Sequence, residues 1–465
     1  MARSAPSWHA TVFGLARKYR FAAKEFCAII ESSIGVRVIR RRRAETLTPT
    51  GEQHGVSSRR NRWMGCGMFL AAALPLCAQE LMSTGSAGGT VRLFATDGAV
   101  LESQDARKDL PCVVTPTRAM LGFDLKFHAG YEVSVPLQEL AGFGNQLTMV
   151  FRVIPEGHSD DPAVFAQHVS VPAIGDDERG PAFLLGAFDV GEGKYHIDWL
   201  MRDRSERVCS FHWDTEAALP LRDKQMTLNI GAGVVAQADT EAFKADPPVG
   251  RDANDSVLNV KVVVNFAPQD SSAASLQPMD TSALISILRS IDREPRIVKF
   301  SVVAFNLQEQ KVIYRQQDAS QIDFPALGHA LSGLNLGTID LKRLAQKHGD
   351  SEFLAGLLTR EVGQTKDNPD ALIFAGPKLA VDDVISQDTL KQLGDVKFPV
   401  FYMNYNLNPA GYPWRDAIGT AVKYLKGVEF TISRPRDVFF AWNEIMSRIA
   451  KGKPGPPVAG NAPSQ

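Results

Sequence analysis

Short apolar runs separated by turn residues fill the chain between about residues 90 and 240. Many of these runs alternate apolar with polar residues, which is typical of strands that bury one face. We expect strands at 131–136, 147–153, 163–166, 183–188 and 226–230, and a hairpin over 191–213. Since no convincing helical pattern separates them, residues 79–240 are predicted to form an antiparallel β-sandwich-like domain.

The pattern changes towards the C-terminus. Residues 241–257 are rich in Asp, Pro and Gly and have the composition of a linker. From 258 to 450, nearly continuous apolar strands alternate with helical segments, a pattern typical of a mostly parallel sheet covered on both faces. The predicted fold class is therefore α/β plus all-β, with a doubly wound, Rossmann-type, mostly parallel sheet after the sandwich. The proline-containing segment 451–465 is expected to be a disordered tail.

The elements of this second domain can be placed from the same pattern. Strands are expected at 258–266, 296–305, 311–315, 371–374, 399–403 and 428–432. Helices are expected at 281–291, 324–334, 340–362, 381–393, 414–426 and 436–449. The third strand follows the second after a short turn, so these two are expected to run antiparallel.

A secretory signal peptide is predicted over residues 56–78. Arg59, Arg60 and Arg62 precede an apolar run that ends in the small residue Ala78. The run is too short to span a bilayer, which takes about 20 apolar residues. Because a signal should begin the protein, residues 1–55 are interpreted as over-extended or disordered, and a genuine cytoplasmic extension is the alternative. The mature protein is expected to be periplasmic or secreted, and to meet the membrane only through this transient signal.

Charge separates the two ends of the sequence. Residues 1–78 carry thirteen Lys and Arg against four Asp and Glu, whereas residues 79–465 carry thirty-eight against forty-eight. An acidic body repels phosphate backbones, so no nucleic-acid partner is expected.

Two cysteines, Cys112 and Cys209, lie beyond the predicted signal peptide. In an oxidising compartment such a pair suggests one disulfide that closes a long loop. Two separate buried thiols are the alternative.

Two segments carry a resemblance to a known family. Residues 298–306 (Val-Lys-Phe-Ser-Val-Val-Ala-Phe-Asn) and 336–338 (Leu-Gly-Thr, ending in Thr338) resemble the second strand and the threonine loop of the von Willebrand factor A (vWA) family. The order of elements is also similar to that family's. A signal peptide, a strand-rich region and such a domain together resemble uncharacterised exported proteins of soil bacteria, of the acidobacterial type.

The family's metal-ion-dependent adhesion site is degenerate in this chain. That site needs Asp-x-Ser-x-Ser after the first strand, a threonine, and an aspartate after the fourth strand, because hard divalent cations take oxygen ligands. Here residues 265–269 read Asn-Phe-Ala-Pro-Gln, and 374–377 read Phe-Ala-Gly-Pro without an aspartate. Only Thr338 remains, and a shifted match with Asp270 and Ser272 lies four residues too late. The resemblance therefore implies a binding domain with no metal and no other cofactor.

A loop after the strand 399–403 is the candidate ligand-binding segment, because open α/β sheets bind ligands at the carboxyl ends of their strands. Its candidate residues, taken with the threonine loop, are Asn404, Tyr405, Asn406, Tyr412, Trp414 and Thr338. The alternative is a rigid connection in which Tyr402 and Trp414 pack against neighbouring helices.

Four side chains on the predicted hairpin are weak candidates for a metal site. His196 and Asp198 are two residues apart on one strand, and His212 and Asp214 repeat this spacing on the next, so each pair shares a face. The alternative is a solvated outer face. No motif for a nucleophile or a phosphate loop is present in the sequence.

The sequence thus predicts an exported, non-catalytic protein-binding or envelope-assembly protein whose partner is another envelope or secreted protein. One alternative is a metal-dependent hydrolase with its site at the four hairpin residues. The other is a carbohydrate-binding protein, which would require Trp199 and Trp213 to be exposed.

Overall fold

The computed structural model of the chain describes residues 37–38, 79–82, 94–158, 161–239, 241–251, 257–270, 273, 275–334, 349–363, 369–378, 385–391, 393–394, 396–407 and 416–452. The predicted signal peptide, Thr338, Tyr412, Trp414 and most of the predicted tail lie outside these ranges. Within them, every helix falls short of the length or apolar character that crossing a membrane requires.

Two antiparallel sheets form the first half of the described chain. Their strands are β1 (Arg37–Val38), β2 (Glu80–Met82), β3 (Val113–Leu121), β4 (Phe127–Pro136), β5 (Asn145–Pro155), β6 (Ala163–Val171), β7 (Pro181–Val190), β8 (Gly193–Arg202), β9 (Val208–Ala217) and β10 (Val235–Gln237). One sheet has the order β1-β7-β4-β3 with β10 also on β7, and the other has the order β2-β6-β5-β8-β9. We call these two sheets the two-sheet region.

Both sheets contribute alternate residues to one shared core. Tyr131 on β4 and Phe151 and Trp199 on β5 and β8 are almost completely buried. The Tyr131 ring lies edge-on to both, with centroids 5.3 Å from Phe151 and 5.4 Å from Trp199. Such aromatic pairs contribute about 0.5–1.5 kcal/mol each beyond the burial of their area. The alternation of apolar residues in the sequence therefore does mark the inward faces of these strands.

A disulfide and a helix complete the two-sheet region. Cys112, just before β3, is bonded to Cys209 on β9, with Cα atoms 6.3 Å apart and a sequence separation of 97. Helix α1 (Ala95–Ser103) lies on the outer face of the second sheet. Its Val100 and Leu101 pack against that sheet and form a small separate apolar cluster. The outer face of the hairpin is therefore partly covered.

A mixed sheet forms the second half. Its strands are β11 (Leu258–Asn265), β12 (Ile297–Asn306), β13 (Lys311–Ala319), β14 (Ala371–Pro377), β15 (Val400–Tyr405) and β16 (Val428–Ile432), in the order β13-β12-β11-β14-β15-β16. The helices described beside it are α2 (Pro278–Asp292), α3 (Phe324–Leu331), α4 (Gly349–Leu358), α5 (Gln387–Lys391), α6 (Ala417–Tyr424) and α7 (Pro435–Gly452). We call this part the mixed-sheet region.

The central strand of the mixed sheet serves two cores. Val260, Val262 and Val264 belong to one cluster with residues of α2 and α7, whereas Val263 belongs to another with residues of α4 and α6. Successive side chains of a strand leave on opposite faces. The unbroken valine run is therefore explained by apolar packing on both sides.

The fold class predicted from the sequence is wrong. The sequence predicted a doubly wound, Rossmann-type, mostly parallel sheet as the larger part of the protein. In the described residues, antiparallel pairing dominates instead. Nine of the thirteen strand pairs are antiparallel, and the four parallel pairs are confined to one mixed sheet. Four of the antiparallel pairs join consecutive strands through short connections, which permit only antiparallel pairing, and the other five join strands that are not consecutive in the chain. The chain is a mainly antiparallel β protein with a mixed sheet and few helices.

Contacts join the two regions. Phe439 and Phe440 of α7 pack against the core of the two-sheet region, while Phe123 of that region lies in a core of the mixed-sheet region. Arg436 of α7 also forms an ion pair with Asp223. Side chains of each region therefore pack on a core of the other region.

The described part of the predicted linker is anchored as well. Asp246 accepts hydrogen bonds at 2.8 and 3.1 Å from Arg293, the residue that follows α2. Arg289, one turn earlier on the same helix, donates to the carbonyl oxygens of Ala242 and Lys244.

Candidate functional site

Three residues lie side by side at the carboxyl edge of the mixed sheet. Strand β14 pairs with β11 on one side and β15 on the other, with Val264 opposite Ala375 and Gly376 opposite Asn404. A Cβ added to Gly376 would lie 2.9 Å from Cβ of Asn265, which is too close for any residue other than glycine without movement. We call Asn265, Gly376 and Asn404 the amide row.

Each of the two asparagine side chains in the row uses only one of its two polar atoms in a hydrogen bond. Asn265 and Asn404 are completely buried. Oδ1 of Asn265 accepts from the Leu307 N–H at 3.1 Å, and Nδ2 of Asn404 donates to Oε1 of Glu429 at 2.7 Å. The other two atoms, Nδ2 of Asn265 and Oδ1 of Asn404, have no hydrogen-bond partner in the described part of the chain. A buried polar atom without a partner costs about 1–3 kcal/mol, so two beside one glycine call for an explanation.

Charged groups lie next to Asn404. Glu429 on β16 contacts Nζ of Lys378 at 3.3 Å. Asp416 caps helix α6 by accepting from the Gly419 N–H at 3.2 Å. Burial raises the pKa of Asp416 to about 6, although a hydrogen bond from Tyr402 acts in the opposite direction. The surroundings of the amide row are therefore acidic, with one lysine.

A second polar network lies at the same edge and is internally bonded. Nε2 of Gln269 donates to Oδ1 of Asn406 at 2.9 Å. The Gln269 N–H lies 3.4 Å from Oδ2 of Asp280, whose pKa is raised by burial. Tyr405 donates to a main-chain oxygen, that of Ala267, at 3.4 Å. These side chains tie loop ends together.

The predicted recognition loop is only partly described, and its described part is not an exposed loop. Asn404 and Tyr405 belong to β15, where they pair with Thr431 and Ile432 of β16, and both are buried. Asn406 is 4% exposed. The strand is longer than expected because β16 extends the pairing at that edge. Tyr412, Trp414 and Thr338 lie outside the described residues.

The four hairpin residues do come together. His196 is paired with Asp214 and Asp198 with His212 in the register of β8 and β9. Oδ1 of Asp198 lies 3.1 Å from Nε2 of His196 and 3.2 Å from Nδ1 of His212, while Nδ1 of His196 lies 2.6 Å from Asp214. The other oxygen of Asp198 accepts from Nε of Arg152 at 2.6 Å. A guanidinium so close makes this buried carboxylate a poor ligand for a cation, and the group is a structural ion network.

A further group was not found from the sequence. Asp124, His128 and Asp189 hold three possible metal-ligand atoms within 4.8 Å of one another. However, Lys126 lies 3.4 Å from Asp189 and 2.8 Å from Asp239, and both ring nitrogens of His128 contact carboxylates. Although burial opposes it, Asp124 and Asp189 raise the pKa of His128 to about 10. The imidazolium and the ammonium therefore supply the positive charge at this place.

The tryptophans do not meet the condition for a carbohydrate-binding surface. Trp199 is completely buried and Trp213 is 9% exposed. Stacking on a sugar needs an open ring face.

No known family model matches this chain, and no curated protein matches it. The structure is similar to the PilB minor pilin from Streptococcus sanguinis with 7% identity, 65% of this chain and 87% of that chain covered, and a TM-score of 0.23. It is also similar to a glycosyl hydrolase family 2 member from Bacteroides cellulosilyticus (9% identity, 70% and 39% covered, TM-score 0.17) and to a Bacteroides uniformis beta-glucuronidase (10% identity, 68% and 38% covered, TM-score 0.16). The chain spans less than half the length of these two hydrolases. TM-scores this low carry no argument about fold or function.

Proposed function

We propose that this chain is an exported, non-catalytic protein-binding or envelope-assembly protein that recognises its partner, without a metal, at the carboxyl edge of the mixed sheet. The observation that carries the proposal is the amide row. Asn265 and Asn404 are neutral, so they supply none of the negative charge by which a hard divalent cation is held. Neutral amides at this edge therefore favour recognition by contacts that need no metal.

The other ionisable clusters favour binding over catalysis. The carboxylates of Asp198 and Asp189 are each paired with cations of the protein. The carboxyl group of Asp416 is used as a helix cap. A catalytic acid or base must be able to contact the substrate, whereas these carboxylates contact other groups of the protein.

Export is supported by the disulfide. A bond between Cys112 and Cys209 persists in oxidising compartments and is rare where thiols are kept reduced. It agrees with the signal peptide expected from the sequence, and the partner is accordingly sought in the cell envelope or outside the cell.

The proposal is tested by photo-crosslinking in the native cells. A benzophenone amino acid replaces Lys378, beside the amide row, in the full chain, and a matched variant carries it at Glu444, an exposed residue of α7. We expect a discrete crosslinked protein from position 378 only, and its yield should be unchanged when the envelope is prepared with a chelator. Equal adducts from both positions, no adduct at 378, or loss of the adduct in chelator would contradict the proposal.

A further inference from the structure

We propose that β16, one edge strand of the mixed sheet, pairs with β16 of a second copy of this chain, so that the two mixed sheets join across a two-fold axis. β16 stands at the end of the strand order, and no strand pairs with its outer side in the described residues. The proposal goes beyond the proposed function and does not depend on it, because the occupant is another copy of the same chain rather than a different protein.

The outer side of β16 carries main-chain groups that can accept a strand. The carbonyl oxygen of Ile432 accepts from the Asn406 N–H at 2.8 Å, so Ile432 directs its main-chain groups towards β15. Successive residues of a strand direct these groups to alternate sides, so Glu429 and Thr431 direct theirs outwards. Both residues are exposed. A second strand can therefore reach the N–H and the carbonyl oxygen of each.

The sequence of β16 complements itself when two copies run antiparallel with Phe430 at the centre. Val428 then faces Ile432 of the second copy and Phe430 faces its own counterpart, all on the face that packs against the core with α2 and α7. On the other face, Glu429 lies opposite Thr431 of the second copy rather than opposite a glutamate. Like charges directly opposite each other destabilise a sheet, whereas apolar pairs stabilise it. The same centre makes Glu429 and Thr431 a hydrogen-bonded pair, as their outward main-chain groups require.

Other edge strands of this chain carry features that oppose such pairing. At the opposite edge of the mixed sheet, the register of β13 on β12 shifts twice, Asp318 has a φ of 50°, and Lys311 adds an exposed charge. β3, at an edge of the two-sheet region, contains Pro116 and a register shift. Irregular register, proline and charge keep edge strands from pairing with other chains. β16 has an unbroken register on β15, no proline, and one charged residue, Glu429, whose carboxylate is already bonded within its own chain.

The first test is the mass of the full chain in solution, measured by light scattering during size-exclusion chromatography over a dilution series. We expect a dimer that dissociates on dilution. In Thr431→Pro, dimerisation should weaken by roughly tenfold or more, because proline removes an outward N–H and places its ring between the strands. The pairing with β15 does not use that N–H, so the monomer should still fold. The matched control is Thr431→Val, which keeps the N–H and should dimerise as the wild-type chain does.

The second test places a cysteine at the centre of the pair. Phe430→Cys should form an intermolecular disulfide under mild oxidation, because opposite residues at a non-hydrogen-bonded position have Cα atoms about 4.5 Å apart. Lys311→Cys, on the opposite edge of the sheet, should not. Both variants are made in a chain whose three cysteines before residue 79 are replaced by serine.

The proposal is overturned if the chain is monomeric throughout the dilution series, if a folded Thr431→Pro protein dimerises as tightly as Thr431→Val, or if Phe430→Cys crosslinks no faster than Lys311→Cys. If Thr431→Pro fails to fold, the mass of the wild-type chain and the two cysteine variants decide. A photo-adduct from position 378 that contains only this chain would belong to the dimer, whereas an adduct with a different protein would belong to the proposed function.

Discussion

In the two-sheet region, buried carboxylates face cations: Asp189 contacts Lys126 and His128, and Asp198 contacts Arg152. At the carboxyl edge of the mixed sheet, the most deeply buried polar side chains beside Gly376 are neutral, and each leaves one atom unpaired. Fully paired charges hold a structure together, because removal of one partner is costly. Half-paired amides gain nothing for stability. The buried carboxylates of the first region are thus explained by the contacts they make, whereas internal contacts leave two amide atoms beside Gly376 without a partner in the described part of the chain.

The largest effect is expected for Asp198→Ala. The carboxylate is completely buried, and its loss leaves Arg152, which is 22% exposed, without its ion pair. We expect the free energy of unfolding to fall by about 3 kcal/mol, measured by urea denaturation. The matched control is Asp214→Ala. Asp214 contacts His196, as Asp198 does, but its carboxylate is 85% exposed, so its loss should change the free energy of unfolding by less than about 0.5 kcal/mol. If both substitutions lowered the free energy of unfolding equally, burial would not explain the difference expected between Asp198 and Asp214.

A smaller effect is expected from pH, through His128. Its pKa is raised to about 10, against about 6.5 in an unfolded chain. The imidazolium therefore stabilises the fold fully below about pH 6.5, and this contribution is lost as pH rises through about 10. We expect about 2 kcal/mol between these limits, less than the whole shift implies, since the side chain is 27% exposed.

This pH dependence should disappear in His128→Gln. The control is His168→Gln, since that ring contacts the neutral hydroxyl of Thr148 at 3.0 Å. Unfolding free energies are compared at intervals from pH 6 to 10. A wild-type profile that is no steeper than that of His128→Gln would contradict the assignment of a charged histidine.

The smallest effect is expected at the amide row. Asn265→Leu removes an unpaired donor but also leaves the Leu307 N–H without its acceptor, so the two contributions should nearly cancel, within about 1 kcal/mol. Asn306→Leu, which breaks two satisfied bonds of a buried amide, should cost more, about 2 kcal/mol. If Asn265→Leu proved the more costly change, the amide row would be structural, and the comparison of the two regions would fail.

Local pattern predicted much of the secondary structure. The hairpin expected over 191–213 contains β8 and the start of β9. Period-two spacing put each histidine on the same strand face as an aspartate, and the register of the two strands then sets His196 opposite Asp214 and Asp198 opposite His212. An expected strand at 226–230 is wrong, because Met226 and Ile230 are buried as anchors of an irregular loop. Helix α1 was missed, since its sequence Ala-Thr-Asp-Gly-Ala-Val-Leu-Glu-Ser offers little apolar periodicity.

Non-local features were harder to predict. In the sequence, Asn265 and Gly376 were notable only because they lie in segments that lack the expected acidic ligands. Only the pairing of three strands brings them beside Asn404. The group around His128 was missed because Asp189, one of its carboxylates, lies on another strand 61 residues from His128 in the chain. The fold class was wrong for the same reason, since partner choice among strands is not written in any one segment. The resemblance to the vWA family stays a prediction.

Phe439 and Phe440 lie on a helix of the mixed-sheet region and pack against the core of the two-sheet region. A truncation that removes α7 would thus take packing side chains away from both regions at once. We expect that neither region would then fold as an independent fragment. Proteases acting on the native protein should accordingly meet a single all-or-none barrier rather than two separable lobes.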